Sequence, residues 1–281
     1  MRRWRFLDTG ASTAAFNMAV DETILSMYAE GKSPPTLRVY QWSPPAISLG
    51  YFQRRHGIDL EACQRLGIDV IKRATGGRAV LHFCDLTYSV VAGTADGMPS
   101  SVASAYRLIC EGLLAAFRAL GFDSEFRNLS AKSPRSDNCF LSSTTGDILH
   151  KGKKFVGSAQ TWHGSSLLQH GSITLEPHLE VWLSLREGNQ AGSIDYEERL
   201  KREMSSIKEI MGRVPPIDET AAAIRNGMTQ VLGMQFMKGE LSSEELFLAD
   251  KIANRYGEEE YVHVSQPMNS INLNNKEAKT T

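Results

Sequence analysis

The architecture of this chain follows from GDILHKGKKFVGSAQTWHGSSLLQHGSITL, residues 146–175. Two runs, GDILH and FVGSAQTW, flank a basic KGKK turn, and this pattern predicts a β-hairpin around Gly152. LLQHGSITL, at 167–175, predicts a further strand. This part of the chain is therefore expected to form neighbouring strands joined by tight turns.

Helices and more strands are predicted on the N-terminal side of this region. Apolar residues recur at helical spacing over residues 12–30, with Ser12 as the expected N-cap, and again over residues 101–121. Short β-rich pieces broken by Pro and Gly predict strands at 36–40, 46–52, 69–73, 78–82 and 86–92. This mixture of antiparallel strands and flanking helices predicts an α+β fold rather than a doubly wound sheet.

The composition turns helical beyond Pro177. Helices are predicted there at 197–212, 218–232 and 242–256, and the last begins with a Ser242-x-x-Glu245 capping box. We therefore expect three regions, which are a core at 1–183, a helical C-terminal part packed on it at 184–263, and a disordered polar tail at 264–281.

The overall composition excludes several classes of protein. The formal net charge of -1 over 281 residues provides no basic field of the kind that nucleic-acid-binding proteins use. No run approaches the ~18 apolar residues that a membrane span needs. The four cysteines form no CxxC pair and no zinc-ligand spacing, which is typical of free thiols in a reducing compartment. These features predict a soluble cytoplasmic protein that binds neither nucleic acid nor membrane.

The first candidate site is RATGGRAVLH, residues 73–82. Consecutive glycines, Gly76 and Gly77, let a backbone approach a ligand closely, and exposed backbone N–H groups can bind an acyl carbonyl or a phosphate. Arg73 and Arg78 bracket them with forked donors suited to a carboxylate or phosphate. The alternative is a glycine-rich turn between two strands. The motif is not GxGxxG, so it does not predict a dinucleotide fold.

The basic hairpin is the second candidate, and it is not a P-loop. Five residues separate Gly146 from Gly152 where a P-loop has four, and Lys154 stands where that motif needs Ser or Thr. A rigid strand could instead present Lys154 to a cleft. Lys151 and Lys153 are expected to be solvated, as charge runs usually are.

Cys139 is the third candidate because it follows the polar run PRSDN, whereas Cys110 lies on an apolar helix face and is expected in the core. A thiol becomes a nucleophile when nearby positive charge stabilises its thiolate, and Lys154 could provide that charge. The alternative is a stray surface thiol. His170 could act as a base or an orienting group, although a lone strand histidine is more often structural.

These motifs resemble the lipoate-protein ligase A-type family, whose catalytic domain is shared with biotin-protein ligases (BPL/LPL), and most nearly its LipM-type octanoyltransferases. The matching stretches are WRFLDTG, AFNMAVDE, RVYQWSPPAISLGYFQ, KRATGGRAVLH, LTYSV, NCF, GKKFVGSAQ, LQHGSITL and LSSEEL, between about residues 4 and 260. NCF, with its cysteine fifteen residues before Lys154, is the feature that indicates the octanoyltransferase branch.

The resemblance implies a mixed, largely antiparallel sheet flanked by helices and an acyl transfer that needs no cofactor. Octanoyl would pass from octanoyl-acyl carrier protein to a lysine of a lipoyl-carrier domain, either the glycine-cleavage H protein or an E2 subunit of a 2-oxoacid dehydrogenase. Cys139 would carry the acyl group as a thioester, and Lys154 would lower the pKa of its thiol. Substrate-binding positions implied in this way or placed near the cleft are Arg73, Gly76, Gly77, His82, Gly157, Ser158 and His170, with no metal site.

Three alternatives stay open at this stage. An ATP-dependent lipoate-protein ligase would need Lys154 but not Cys139, an amidotransferase between lipoyl domains would use a similar cysteine, and a non-catalytic carrier-domain-binding module would need neither. Cys84, in HFCD, is expected near the cleft, either as a rival nucleophile or as a packed strand thiol.

Overall fold

The structure is a computed structural model, and it describes residues 3–53, 57–127, 147–186 and 194–256. Its strands, in chain order, are β1 (Arg3–Ser12), β2 (Thr36–Trp42), β3 (Ala46–Leu49), β4 (Asp69–Lys72), β5 (Val80–His82), β6 (Asp85–Gly93), β7 (Glu125–Phe126), β8 (Ile148–His150), β9 (Lys153–His163), β10 (Ser166–Thr174) and β11 (Gln235–Lys238). Its α-helices are α1 (Ala14–Ala29), α2 (Leu60–Arg65), α3 (Val102–Ala119), α4 (Leu179–Ser184), α5 (Ile194–Glu203), α6 (Ile207–Met211), α7 (Ile217–Leu232) and α8 (Ser243–Tyr256).

Two sheets organise the described residues. The larger has the strand order β11-β1-β2-β6-β10-β9-β8-β7, and the smaller has the order β4-β3-β5. In the larger sheet β1 pairs in parallel with β2 and β11, whereas each neighbouring pair from β2 to β7 is antiparallel. The predicted α+β fold with a mixed, largely antiparallel sheet is therefore confirmed.

The hairpin predicted around Gly152 is also confirmed. β8 and β9 are joined by Lys151 and Gly152, whose φ angles are 49° and 79°. Positive φ at both central residues is typical of the type I′ turn, whose twist matches that of paired strands. β10 lies between β9 and β6 and is buried along its whole length, so it forms the centre of this half of the sheet.

Helices cover both faces of the larger sheet. Apolar side chains of one face, such as Leu37, Tyr88 and Leu167, pack with α3 and α7. The opposite face packs on α1, and α8 packs on the outer side of α1. A third cluster joins the small sheet to α2, α4 and α5. Within the described ranges, no helix is both long and apolar enough to cross a membrane.

The region after Pro177 differs from its predicted all-helical form. β11 is a strand that extends the larger sheet by pairing in parallel with β1, from Arg3 opposite Gln235 onward. Its residues are mostly exposed, so QFMK lacks the apolar pattern of a buried strand, and only the free edge of β1 makes it a strand. The boundaries at residues 183 and 263 stay a prediction, and the tail at 264–281 lies outside the described residues.

Two predicted helix boundaries were wrong. The helix expected at 197–212 is divided into α5 and α6, because the N–H of Ser205 bonds to Lys154 O and Ser206 caps a new helix. Helix α1 is capped by Thr13 rather than Ser12, because Ser12 still pairs with Trp42 as part of β1. The capping box at the start of α8 is confirmed, with Ser242 and Glu245 exchanging hydrogen bonds of 2.7 and 3.1 Å.

Candidate active site

Lys154, at the start of β9, is a buried cation. Its Nζ lies 2.7 Å from a carboxylate oxygen of Asp147, and the two side chains are 0% and 1% exposed. Lys151 and Lys153 in the preceding turn are exposed, as predicted. The hairpin therefore directs one lysine of the basic run inward, where the ammonium is paired with a carboxylate. The backbone of Lys154 is fixed as well, because its carbonyl accepts a 2.8 Å hydrogen bond from the N–H of Ser205.

Cys139 lies outside the described residues, within the segment 128–146 that ends immediately before Asp147. Its proximity to Lys154 therefore stays a prediction. The described cysteines have raised pKa values. Burial raises the pKa of Cys63 and Cys110 to about 12, and burial together with Glu176 and Asp85 also raises the pKa of Cys84. A thiol beside two carboxylates does not form a stabilised thiolate, which disfavours Cys84 as the rival nucleophile.

Arg73 is placed at the centre of the glycine-rich loop. Its Nε donates to Thr75 Oγ1 at 3.2 Å, and its Nη1 donates to the carbonyl and hydroxyl oxygens of Ser48 at 2.7 and 3.1 Å. Its Nη2 donates to the carbonyl oxygens of Gly76 and Arg78, both at 2.8 Å. A guanidinium has five N–H donors, so these contacts use all of them. We expected a fork for a carboxylate or phosphate, whereas the structure uses the fork to hold the loop.

His82 belongs to a hydrogen-bonded chain that ends at Arg73. Its Nδ1 lies 2.8 Å from Asp85 Oδ2, and its Nε2 lies 2.9 Å from the hydroxyl of Ser48. The ring also stacks on Trp42, with centroids 3.9 Å apart. Burial alone would raise the pKa of Asp85, but His82 and hydrogen bonds such as that from Ser172 outweigh burial and hold the pKa below its usual value.

His170 belongs to a second chain that reaches the loop from the central strand. Its Nδ1 lies 3.1 Å from Asp21 Oδ2, and its Nε2 lies 2.6 Å from Thr75 Oγ1. Burial lowers the pKa of His170, with Arg73 adding to the effect and Asp21 opposing it.

The Asp21 carboxylate accepts hydrogen bonds from several other side chains. It also accepts hydrogen bonds from Arg38 at 2.8 Å, Tyr40 at 2.9 Å and Ser89 at 2.8 Å. Burial would raise the pKa of Asp21, but the charge of Arg38, the contact with His170 and the bond from Ser89 leave it lowered. A charged Asp21 therefore anchors the second chain.

The strand motif GSAQ meets this loop at Ala159. A Cβ added to Gly77 would lie 4.0 Å from the Cβ of Ala159, which is paired with His170 across the sheet. Ser158 and Gly157 are the next residues of β9, but Ser158 points to the other face, where its hydroxyl lies 2.8 Å from Tyr88 OH. The structure therefore brings Arg73, Gly76, Gly77, His82 and His170 together and directs the Ser158 side chain away from them.

Lys154 lies near the start of the same strand. It is five positions from Ala159, which corresponds to about 16 Å along an extended strand. The candidate site is therefore elongated, with the glycine-rich loop at one end and the buried ammonium at the other.

A cavity of about 230 Å³ opens on the side of the loop next to α8. The residues lining it are Glu22, Tyr51, Lys72, Arg73, Ala74, Ile252, Arg255 and Tyr256. Three of these are basic and one is acidic, so the cavity has a cationic character. Within the described ranges, no group of three or more His, Cys, Asp or Glu side chains is arranged to hold a metal ion.

Sequence reasoning missed the residues that hold the predicted ones in place. They are Asp21, Ser48, Thr75, Asp85 and Asp147. Asp21 had a usable signal, since it is a carboxylate within the apolar face of a helix, next to Val20 and close to Ile24. Thr75, Asp85 and Asp147 lie within seven residues of their partners Arg73, His82 and Lys154, but no periodic pattern marks these contacts. Ser48 lies 25 residues from Arg73.

Comparison with known proteins identifies the family of this chain. Residues 13–229 match the family model of the lipoyl protein ligase A/B catalytic domain. A relative named octanoyltransferase LipM, from Anoxybacillus flavithermus, is 39% identical over 269 residues, covering 92% of this chain and 97% of the relative. The protein of the same name from Bacillus subtilis is 36% identical over the same shares of each chain.

Solved structures show the same fold. Lipoate-protein ligase A bound with ATP superposes with a TM-score of 0.75 at 25% identity, covering 92% of this chain and 97% of that one. A bipartite lipoate protein ligase from Thermoplasma acidophilum, described with its E2 lipoyl domain, gives a TM-score of 0.74 at 22% identity, covering 92% and 95%. The chain belongs to the lipoyl protein ligase A/B catalytic domain family. Its most similar relatives include proteins named as octanoyltransferases.

Proposed function

We propose that this protein is an octanoyltransferase that moves octanoyl from octanoyl-acyl carrier protein to a specific lysine of a lipoyl-carrier domain, through a thioester on Cys139. The observation that carries the proposal is the buried Lys154 ammonium, held by Asp147 directly after the segment that contains Cys139. The relatives named octanoyltransferase LipM, which are aligned over about nine-tenths of the chain, support the same activity.

The first chemical step is attack of the Cys139 thiolate on the acyl carbonyl of the donor thioester. A carbon–sulfur bond forms, the carbonyl π electrons move to oxygen, and collapse of this intermediate expels the carrier thiolate. Lys154 favours the step by stabilising the Cys139 thiolate electrostatically. Arg73 has no donors left for an oxyanion, so backbone N–H groups are the better candidates for stabilising it.

The second step is attack of the acceptor lysine amine on the Cys139 thioester. A carbon–nitrogen bond forms, the carbon–sulfur bond to Cys139 breaks, and the proton lost by the amine passes to the departing sulfur or to solvent. Conversion of a thioester to an amide is downhill, so neither step consumes ATP. The acceptor would be the carrier domain of the glycine-cleavage H protein or of an E2 subunit, with the carrier lysine presented to the thioester from outside.

The ATP-dependent ligase is the second candidate, and it would use Lys154 to contact an acyl-adenylate. Its support is the structural likeness to the ATP-bound lipoate-protein ligase A. The engaged guanidinium of Arg73 weighs against a phosphate-binding fork at the loop. The octanoyltransferase is therefore preferred over the ligase.

The decisive experiment is intact-mass analysis after incubation with octanoyl-acyl carrier protein in the absence of ATP. We expect a hydroxylamine-labile octanoyl adduct, which is transferred when a lipoyl domain is added. Cys139→Ser should abolish the adduct, and Cys84→Ser is the matched control that should retain it. An adduct on Cys139→Ser at full yield, or a transfer that requires ATP, would refute the proposal.

A further inference from the structure

An exposed aromatic pair lies beside the cationic cavity next to α8. Tyr51 and Phe52 follow shortly after β3 and are 53% and 88% exposed, and their rings meet edge to face with centroids 4.9 Å apart. The Tyr51 N–H donates to the Thr75 carbonyl at 2.8 Å, which attaches this turn to the protein. A bond of 2.8 Å from the Gln53 N–H to the Gly50 carbonyl closes the turn. Two adjacent apolar rings that a closed turn holds in water are typical of a binding surface.

Basic side chains surround the pair. Lys72 Nζ lies 5.4 Å from the centroid of the Tyr51 ring. Both side chains line the cavity of about 230 Å³ together with Arg255, which is exposed in the last turn of α8. Glu22 is the acidic residue of the lining, and it accepts a hydrogen bond from the Tyr256 hydroxyl. Because the formal net charge of the whole chain is -1, the cationic character is local, and it favours an anionic partner.

The opposite end of α8 provides a contrast. Phe247 is 72% exposed there, and it follows a first turn that contains the exposed Glu244. An anionic partner would be repelled by this carboxylate, whereas the Arg255 end of the same helix would attract it. The two exposed aromatic sites therefore differ in charge rather than in apolar area.

The two partners of the proposed transfer differ in the charge that they present. The octanoyl donor holds its acyl group on an arm that is attached to the carrier protein through a phosphodiester, which is an anion. The acceptor presents a lysine, whose ammonium would be repelled by Lys72 and Arg255. Charge complementarity therefore favours the donor at this surface.

We propose that Tyr51, Phe52, Lys72 and Arg255 form the docking surface for the acyl carrier protein that donates octanoyl. This inference rests on the proposed function and deepens it, because it assigns the donor a place on the protein. The aromatic pair provides the apolar contact, and the cations of the cavity meet the anionic groups around the carrier's arm. The surface recognises the donor and takes no part in the bond changes of the transfer.

Two donors separate docking from chemistry. Octanoyl-acyl carrier protein has the carrier surface, whereas octanoyl-pantetheine has the same thioester without it. For each donor, kcat/KM would be measured for transfer to a lipoyl domain. The Kd of holo-acyl carrier protein, which has the arm but no octanoyl, would be measured separately, as would the Kd of the lipoyl domain.

Four exposed positions provide the variants. Phe52→Ala removes apolar area, and Arg255→Glu reverses a charge at the rim of the cavity. The matched controls are Phe247→Ala, which removes an equally large ring from the other end of α8, and Lys238→Glu, which reverses an exposed charge on β11. All four side chains are exposed, so each variant is expected to fold.

We expect Phe52→Ala and Arg255→Glu each to weaken the binding of holo-acyl carrier protein by roughly 10-fold, and to lower kcat/KM with octanoyl-acyl carrier protein by a similar factor. Transfer from octanoyl-pantetheine and binding of the lipoyl domain should change by less than about twofold in the same variants. Both control variants should resemble the wild type with either donor.

The inference is overturned if Phe52→Ala and Arg255→Glu bind the carrier with wild-type affinity, or if they weaken binding of the lipoyl domain instead. Equal losses of transfer from both donors would also overturn it, because a docking surface acts only on the donor that has a carrier. Wild-type protein that binds the carrier through this surface but takes octanoyl from neither donor would refute the proposed function and leave the docking surface in place.

Discussion

The Lys154 ammonium and the Asp147 carboxylate form a buried ion pair of 2.7 Å. Taking two charges out of water is costly, and a hydrophobic pair of the same shape would often be as stable. A buried charged pair that adds little to stability therefore indicates a functional role. Stabilising a thiolate is the task that the proposed chemistry assigns to it.

The pair itself is open to a stability test. Lys154→Met removes the cation that lies 2.7 Å from the buried Asp147 carboxylate, which should lower the free energy of unfolding by roughly 3–5 kcal/mol. Adding Asp147→Asn removes that charge, so the double variant should be more stable than Lys154→Met alone. Urea denaturation of the wild type, both single variants and the double variant would measure this coupling. Strictly additive losses would show that the two side chains do not stabilise each other.

The proposed effect of Lys154 on Cys139 predicts a change in thiol titration. Lys154→Ala should raise the pH midpoint for alkylation of Cys139, because a nearby positive charge favours the thiolate. Lys151→Ala is the matched control, since that lysine belongs to the same turn but is exposed. Its midpoint should equal that of the wild type. If Lys154→Ala also leaves the midpoint unchanged, the role of the lysine is not electrostatic.

The two loop glycines should respond differently to a methyl group. At Gly77 the φ of 94° disfavours any other residue, and a Cβ would lie 2.8 Å from Arg73 Nη2. Gly77→Ala should therefore lower the free energy of unfolding by roughly 1–3 kcal/mol. Gly76→Ala meets no neighbour within 4 Å and should change stability by less than about 0.5 kcal/mol. Thermal unfolding of both variants would test this, and equal losses would argue against the described loop geometry.

Stability should fall on mild acidification. The pKa of His170 and of His178 is lowered in the folded protein, chiefly by burial. Between the usual histidine value of about 6.5 and these lower values the unfolded chain binds more protons, so the free energy of unfolding decreases as the pH falls. The lowered pKa of Asp21 and Asp85 adds a further loss below about pH 4.

Urea midpoints measured from pH 8 down to pH 5 would show the histidine contribution. His178→Gln is a suitable comparison because it removes one of the two groups without removing a hydrogen bond from either chain to Arg73. Its pH dependence should be shallower than that of the wild type. A midpoint that is constant over this range would contradict the buried, neutral state of these histidines.

The hairpin around Gly152 could be predicted because its signals are local, with a basic turn between two β-rich runs. The inward direction of Lys154 could not, since the sequence shows one unbroken basic run, and only the geometry of the strand distinguishes Lys154 from Lys153. The strand β11 was missed for a related reason. Its residues carry almost no apolar pattern, so its conformation is imposed by the edge of β1.

The residues of the candidate site were also only partly predictable from the sequence. Arg73, Gly76 and Gly77 could be predicted from their motif, but the use that Arg73 makes of its donors could not. Its acceptors at Ser48 lie 25 residues away, and the bond between Thr75 and His170 spans 95. Contacts of that separation leave no periodic trace in a sequence. They depend on how the small sheet packs against the larger one.

The pairing of β1 with β11 has a consequence for how the protein is made. β1 pairs with a strand that is synthesised more than two hundred residues later and begins at Gln235. Long-range pairing of this kind slows folding, and an unpaired strand edge is prone to associate with other chains. This edge of β1 therefore stays unpaired with β11 until the chain has been synthesised past Lys238.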